Sequence, residues 1–138
     1  METLDLTSLT KAIDSFHKAL DEYAKDESNE FVRDSCIQRF EYCYDLTTKF
    51  LKRHLRIIAE NPSNINALSF QEVIREAYTK EILKNSWDKW WEYRDNRNAT
   101  SHAYSIEKAV EVVEKLPEFL IELTFFHQHL SDIYEAQV

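Results

Sequence analysis

Arg97 and His102 are, by residue type and spacing, the best candidates for joint action on a phosphate ester, and they lie in a segment unlike the rest of the chain. From Trp87 to Tyr104 (WDKWWEYRDNRNATSHAY) the sequence gathers all three tryptophans with Arg94, Arg97, His102 and Tyr104. An arginine fork binds phosphate oxygens bidentately, and a histidine with a pKa near 6.5 moves a proton at neutral pH. On an unbroken helix the two side chains would stand roughly 140° apart, five positions at about 100° each, and would not converge on one small group. A helix end near Asn98, followed by a turn through Thr100 and Ser101, would let both aim into the same cleft. The competing reading is purely structural: Arg97 pairs with an acidic neighbour such as Asp95, and His102 caps a loop.

The elements that must position this segment follow from apolar spacing. Leu6, Leu9, Ile13, Phe16, Leu20 and Tyr23 step by three and four, which predicts a first helix over about residues 4–26. Ser28-Asn29-Glu30 interrupts the pattern. Ile37, Phe40, Tyr44, Thr47, Leu51, His54 and Ile58 then carry a long second helix over roughly 30–60, ended by Asn61-Pro62-Ser63-Asn64. Ser69 and Glu72 have the spacing of a capping box, and Phe70, Val73, Ile74, Ala77 and Tyr78 give a short third helix its buried face. A fourth helix starts near Ser86, with Trp87, Trp90, Trp91 and Arg94 on one face, and stops among Asp95, Asn96, Asn98 and Thr100. The fifth runs from about Ser105 to the C-terminus on Ile106, Ala109, Val113, Leu116, Leu120, Leu123, His127, Leu130 and Tyr134, with a kink expected at Pro117. No segment alternates with period two. The expectation is one all-α domain over residues 1–138, an antiparallel bundle of about five helices.

Composition narrows the chemistry further. The 138 residues include no glycine and two prolines, so Gly-rich phosphate loops, dinucleotide fingerprints and nucleophile elbows are excluded. A formal net charge of −8 means that any nucleic acid must be met by a local patch. Lys49, Lys52, Arg53 and Arg56 form one such row at i, i+3, i+4 and i+7, a possible guide for RNA or for an acidic partner, or simply a solvated helix face. No apolar run is long enough to span a membrane and the N-terminus lacks the pattern of a signal peptide, so a cytoplasmic protein without membrane contact is expected.

The remaining reactive residues read as structural. Cys36 and Cys43 are seven apart on one helix, about 10 Å along its axis, too far for a disulfide. Together with His127 and His129 they match no zinc-ligand spacing, and no metal or other cofactor is expected. His54 and His127 sit on apolar stripes and fit a core or a dimer interface. The Trp-rich and His-bearing apolar faces exceed what five helices of this length can bury among themselves, which predicts a homodimer.

Arg97-Asn98-Ala99-Thr100-Ser101-His102-Ala103-Tyr104 fits the R-x4-H-x-Y motif of HEPN domains, including the Asn directly after the Arg. The stretch from Arg33 to Leu46 (RDSCIQRFEYCYDL) resembles the second helix of the HEPN branch called nucleotidyltransferase substrate-binding proteins, in which a Trp-rich helix also precedes the motif. The resemblance covers nearly the whole chain. It implies a HEPN-like four-helix up-and-down core and a homodimeric partner of a minimal nucleotidyltransferase, usually encoded beside it as a toxin and antitoxin pair. In HepT-like members it further implies a metal-independent ribonuclease site made by the Arg and His, with two copies facing each other across the dimer. Those roles fall on Arg97 and His102, with Asn98 supporting. The motif's Tyr, here Tyr104, is where the partner transfers adenylate to silence the toxin.

RNA brings its own nucleophile, so a metal-free site needs only proton transfer and stabilisation of developing phosphorane charge. The alternative function is a non-catalytic subunit that binds a nucleotide or substrate for the nucleotidyltransferase. For adenylation, Tyr23, Tyr44, Tyr78 and Tyr134 lie on apolar stripes and should be less accessible, which leaves Tyr42 and Tyr93 as the main competitors of Tyr104.

Overall fold

The computed structural model describes residues 2–135. Among these, seven α-helices and one 3-10 turn account for the regular structure, with no strand: α1 (Thr7–Lys25), α2 (Glu30–Ile58), α3 (Pro62–Asn66), α4 (Phe70–Thr79), α5 (Trp87–Ala99), the turn Thr100–His102, α6 (Ile106–Glu114) and α7 (Leu116–Tyr134). None of the helices in this range is long and apolar enough to cross a membrane.

Local chemistry explains most of the boundaries. Asp5 accepts hydrogen bonds from the Thr7 amide (2.9 Å) and hydroxyl (2.6 Å) at the entry to α1. The Asn29 side chain caps α2 by accepting from the Phe31 and Val32 amides. Ser69 and Glu72 close the capping box of α4, each side chain accepting from the other's backbone amide. The tetrapeptide Asn61-Pro62-Ser63-Asn64 does end α2, but it also starts an unforeseen single turn. Asn61 caps the Ser63 amide and Pro62 occupies the first helical position, where its missing N–H costs nothing.

The expected fifth helix is two helices. The chain breaks at Lys115, the C-cap of α6 and the N-cap of α7, because Pro117 lies in the first turn of α7 and cannot donate to a continuing helix. The break resets the helical phase. Leu116, Phe119, Leu123, Phe126 and Leu130 face the core, while Leu120 and His127 are only partly buried and Ile106 is exposed.

Helix α2, about 43 Å long at 1.5 Å per residue, is the spine: α1, α3, α4, α5 and α6 all pack on it, and α7 packs on α1 and α6. The core centres on Phe119, whose ring meets Phe40 edge-on at 5.2 Å, Tyr93 at 5.0 Å and Trp90 at 5.9 Å. Burial of these large rings dominates the bundle's stability. Trp90 is fully buried whereas Trp91 is 54% exposed, so the tryptophans divide between core and surface instead of sharing one face. Cys36 and Cys43 are buried free thiols, and burial pushes them up to about 11 and about 12.

A buried carboxylate ties the loop before α5 to α7. Glu122 accepts from the Lys84 amide (2.8 Å), the Asn85 amide (3.0 Å) and the Trp90 indole N–H (2.8 Å), and desolvation holds its pKa above the ordinary value. The start of α5 is therefore tied directly to a residue of α7, 32 positions from Trp90.

Candidate functional site

Helix α5 ends because Thr100 competes for its last carbonyls. The Thr100 hydroxyl donates to the Arg97 carbonyl (2.7 Å) and accepts from the Arg97 Nη1 (3.0 Å). The backbone then tightens into the turn Thr100–His102 and runs to Ser105, whose side chain caps α6 by accepting from the Lys108 amide. Buried Asn96 pins the last turns of α5 by donating from Nδ2 to the Val112 carbonyl at 3.1 Å. The break expected between Arg97 and His102 is present, and both residues line one cleft of about 600 Å³.

Two polar stripes face each other across this cleft. On α2, Asp45, Thr48 and Lys52 recur at helical spacing; on α5 and the following turn, Arg94, Arg97, Asn98 and Ser101 do the same. Tyr44 and Phe70 supply its apolar floor. Burial pushes the Tyr44 hydroxyl up to about 12, so it stays a neutral phenol at physiological pH. Lys52, Arg94 and Arg97 oppose one carboxylate on the cleft lining, giving a locally cationic site on an acidic chain.

Arg97 is held by residues that spacing did not single out. Its Nε and Nη2 donate to the two oxygens of Asp45 at 3.3 and 3.1 Å, and Nη1 lies 3.2 Å from Glu41 Oε2. Hydrogen bonding to Asp45, followed by the charges of Asp45 and Glu41, keeps the guanidinium above its ordinary pKa against a partial desolvation cost. With Nη1 also donating to Thr100, three of its five N–H groups are engaged in hydrogen bonds, and Glu41 adds an ion pair. Asp45 takes the Nε/Nη2 edge of the fork, so a phosphate gripping that edge must displace it. The acidic partners come from α2, not from Asp95. A polar stripe at 3–4 spacing on α2 (Glu41, Asp45, Thr48, Lys52) was the available signal, masked by the core stripe beside it.

His102 is exposed and, among the described residues, makes no hydrogen bond or ion pair, and its ring lies 6.3 Å from that of Tyr104. Asn98 is exposed on the cleft wall. Tyr104 stands 87% exposed just outside the lining.

The basic row on α2 does not act as a unit. Lys52 alone reaches the cleft; Lys49 is exposed elsewhere, Arg53 lies over the Phe50 ring at 5.7 Å, and Arg56 donates to Asn66 at 3.1 Å. The tyrosine ranking needs two corrections. Tyr93 is buried in the core, and Tyr78 is exposed at the C-terminal end of α4, where its stripe runs off the packed face. His54 is a core residue, sharing a 2.6 Å hydrogen bond with the Tyr134 hydroxyl, and His127 pairs with Thr10 at 2.7 Å between α7 and α1.

Comparison with known proteins agrees with this architecture. A solved Haemophilus influenzae structure, described as revealing the fold of a substrate binding domain of a nucleotidyltransferase, superposes with a TM-score of 0.85 at 32% identity, over 91% of this chain and 98% of that one. A Haemophilus influenzae protein named Probable ribonuclease HepT is 42% identical over 94 residues, 68% of this chain and 64% of that protein's length. The family model described as "Nucleotidyltransferase substrate binding protein like" matches residues 4–132. An all-α bundle built on a long second helix, carrying R-x4-H-x-Y at the break after α5, thus belongs to the nucleotidyltransferase substrate binding protein-like family.

Proposed function

We propose that the chain is the ribonuclease subunit of a two-component system with a minimal nucleotidyltransferase, working as a homodimer without a metal ion. The observation that carries this reading is the convergence of Arg97, Asn98 and His102 on one cationic cleft through the helix break at Thr100. His102, unengaged by neighbouring side chains, is free to move a proton between the 2′-hydroxyl and the 5′-oxygen leaving group. The 2′-oxygen attacks the adjacent phosphorus, the bond to the 5′-oxygen breaks, and a cyclic phosphate and a 5′-hydroxyl result. Arg97 stabilises the charge that builds on the phosphorane oxygens, with Asp45 and Glu41 as the carboxylates that position it before substrate arrives.

Control by the partner fits the exposure of Tyr104. Its hydroxyl oxygen forms a bond to the α-phosphorus of a nucleoside triphosphate, pyrophosphate leaves, and the phenolic proton passes to solvent or to the partner's base. The adenylate then adds a phosphate and a bulky base two residues from His102, offering Arg97 a competing anion.

Purified wild-type protein is expected to cleave cellular RNA in EDTA. Arg97→Ala and His102→Ala should each lower the rate by at least about 100-fold while circular dichroism remains helical. Retained cleavage in either variant moves the chemistry elsewhere. A second reading, nucleotide binding without cleavage, is favoured by the pairing of Arg97 with two carboxylates while Lys52 and Arg94, without ion-pair partners among the described residues, are left to hold a phosphate. A wild-type protein that binds nucleotide but cuts no RNA would establish it instead.

A further inference from the structure

Arg94 contrasts with Arg97. Both line the cleft from neighbouring turns of α5, yet among the described residues Arg94 has no ion-pair partner, and its guanidinium lies over the ring of Phe70 with 5.7 Å to the centroid. Phe70 is itself held edge-on by Trp87 at 5.9 Å and by Trp90 at 6.4 Å, and it tilts against Tyr44 at 6.2 Å. The ring is thus packed among three aromatic side chains, and the Arg94 guanidinium lies over it. An exposed arginine with unused donors that rests on an aromatic face presents a second flat surface outward, and guanidinium planes stack on nucleobases as aromatic rings do.

We infer that Phe70 and Arg94 form a nucleobase subsite, in which a base stacks on the outer face of the Arg94 guanidinium while the attached phosphate reaches toward Lys52 and Arg97. The inference rests on the reading that the cleft takes a ribonucleotide, and it adds where the base goes. Arg94 and Arg97 are three positions apart, about 4.5 Å of helix rise, the scale of the offset between a base and its phosphate. The cleft volume of about 600 Å³ lies inside the roughly 300–1,000 Å³ range of small-molecule sites and has room for one nucleotide. Lys52, also without an ion-pair partner among the described residues, supplies charge on the facing wall. Stacking alone tolerates any base, so the subsite supplies affinity for a base without strict sequence choice.

Isothermal titration calorimetry of the full chain with adenosine 5′-monophosphate and with ribose 5-phosphate separates base from phosphate. The wild type should bind the nucleotide more tightly. Arg94→Lys keeps the charge and loses the plane, and should weaken nucleotide binding by at least about five-fold, the low end of a base-stacking contribution, while ribose 5-phosphate binding is unchanged. Phe70→Leu should act in the same direction, and tryptophan fluorescence should change on nucleotide binding in the wild type but much less in Trp87→Phe. Equal affinity of the wild type for the two ligands, binding of neither, or equal losses for both in Arg94→Lys would overturn the subsite. RNA cleavage by the same wild-type preparation is scored separately: cleavage without the base effect sinks the subsite and leaves the proposed function standing.

Discussion

At His54 the chain keeps a histidine where water cannot reach it. Burial, reinforced by the nearby His129, pushes its pKa down to about 4 from an ordinary 6.5, and its contacts are the Tyr134 hydroxyl and the His129 ring at 5.7 Å. Because the unfolded chain takes up this proton at a higher pH than the folded one, the stabilisation is complete above about pH 6.5 and is lost as pH falls toward 4. Integrated over that window it amounts to about 3 kcal/mol. Urea midpoints measured from pH 7 to pH 4.5 should fall steadily, and His54→Gln should flatten the dependence while lowering stability at pH 7. His129, whose pKa burial also lowers, contributes with the same sign, and Glu122, raised by desolvation, with the opposite one, so the difference between wild type and His54→Gln is what isolates His54. Tyr104 makes a different residue-scale prediction: with the nucleotidyltransferase, nucleoside triphosphate and Mg²⁺, wild type should gain one adenylate on peptide mass spectrometry and lose RNA cleavage. Tyr104→Phe should gain none and stay active. Silencing of Tyr104→Phe as complete as that of wild type would make the partner a steric inhibitor.

Among the elements, the end of α4 shows what the lack of glycine costs. Glu81 sits at φ 61°, the left-handed conformation, while the Ile82 amide donates to the Ala77 carbonyl (2.9 Å) and the Glu81 amide to the Tyr78 carbonyl (3.0 Å). This is a Schellman ending with Ile82 and Ala77 both buried beneath it, and glycine is the usual residue at the position Glu81 fills. Glu81→Gly should relieve about 1 kcal/mol of backbone strain and raise the thermal midpoint by roughly 4 °C, read by circular dichroism. A lower midpoint would mean that the Glu81 side chain stabilises the loop that Glu122 organises. The ending of α5 follows the opposite logic: Thr100 stops the helix with its own hydroxyl, and that stop brings Arg97 and His102 to one cleft.

The whole molecule leaves large apolar side chains in solvent: Phe31 is 80% exposed, Ile106 63% and Trp91 54%. Trp91 precedes Arg94 by one turn of α5, so a self-association through this face would bring two clefts close together. Sedimentation velocity at micromolar concentration is expected to show a dimer, and Trp91→Ala should shift it toward monomer by removing a large aromatic anchor, the residue type that dominates interface energy. A wild-type monomer under these conditions would remove the composite two-copy site. The formal charge of −8 works against polyanions over most of the surface, so the proposed RNA substrate depends on attraction supplied locally by the cationic cleft.

What depends on neighbours within a few residues could be read along the chain. The steps of three and four, the capping residues Asn29 and Ser69, and the absence of glycine made an all-α bundle legible. The motif Arg97 to Tyr104 was readable together with the turn that would be needed to join its ends, because caps and turns are local hydrogen-bond choices. Where local signals competed, the spacing misled: Leu120 and Phe119 both continue a plausible stripe, and only the break at Lys115 sets which one faces the core. The environment of Arg97 comes from long-range packing. Asp45 lies 52 positions away, and no pattern along the chain states that two polar stripes on α2 and α5 will face each other. The same holds for Arg94 over Phe70 and for Glu122 beneath Trp90. Such contacts arise from packing helices on a shared core, where long-range apolar burial chooses which faces meet and the polar groups at the seam must then satisfy one another.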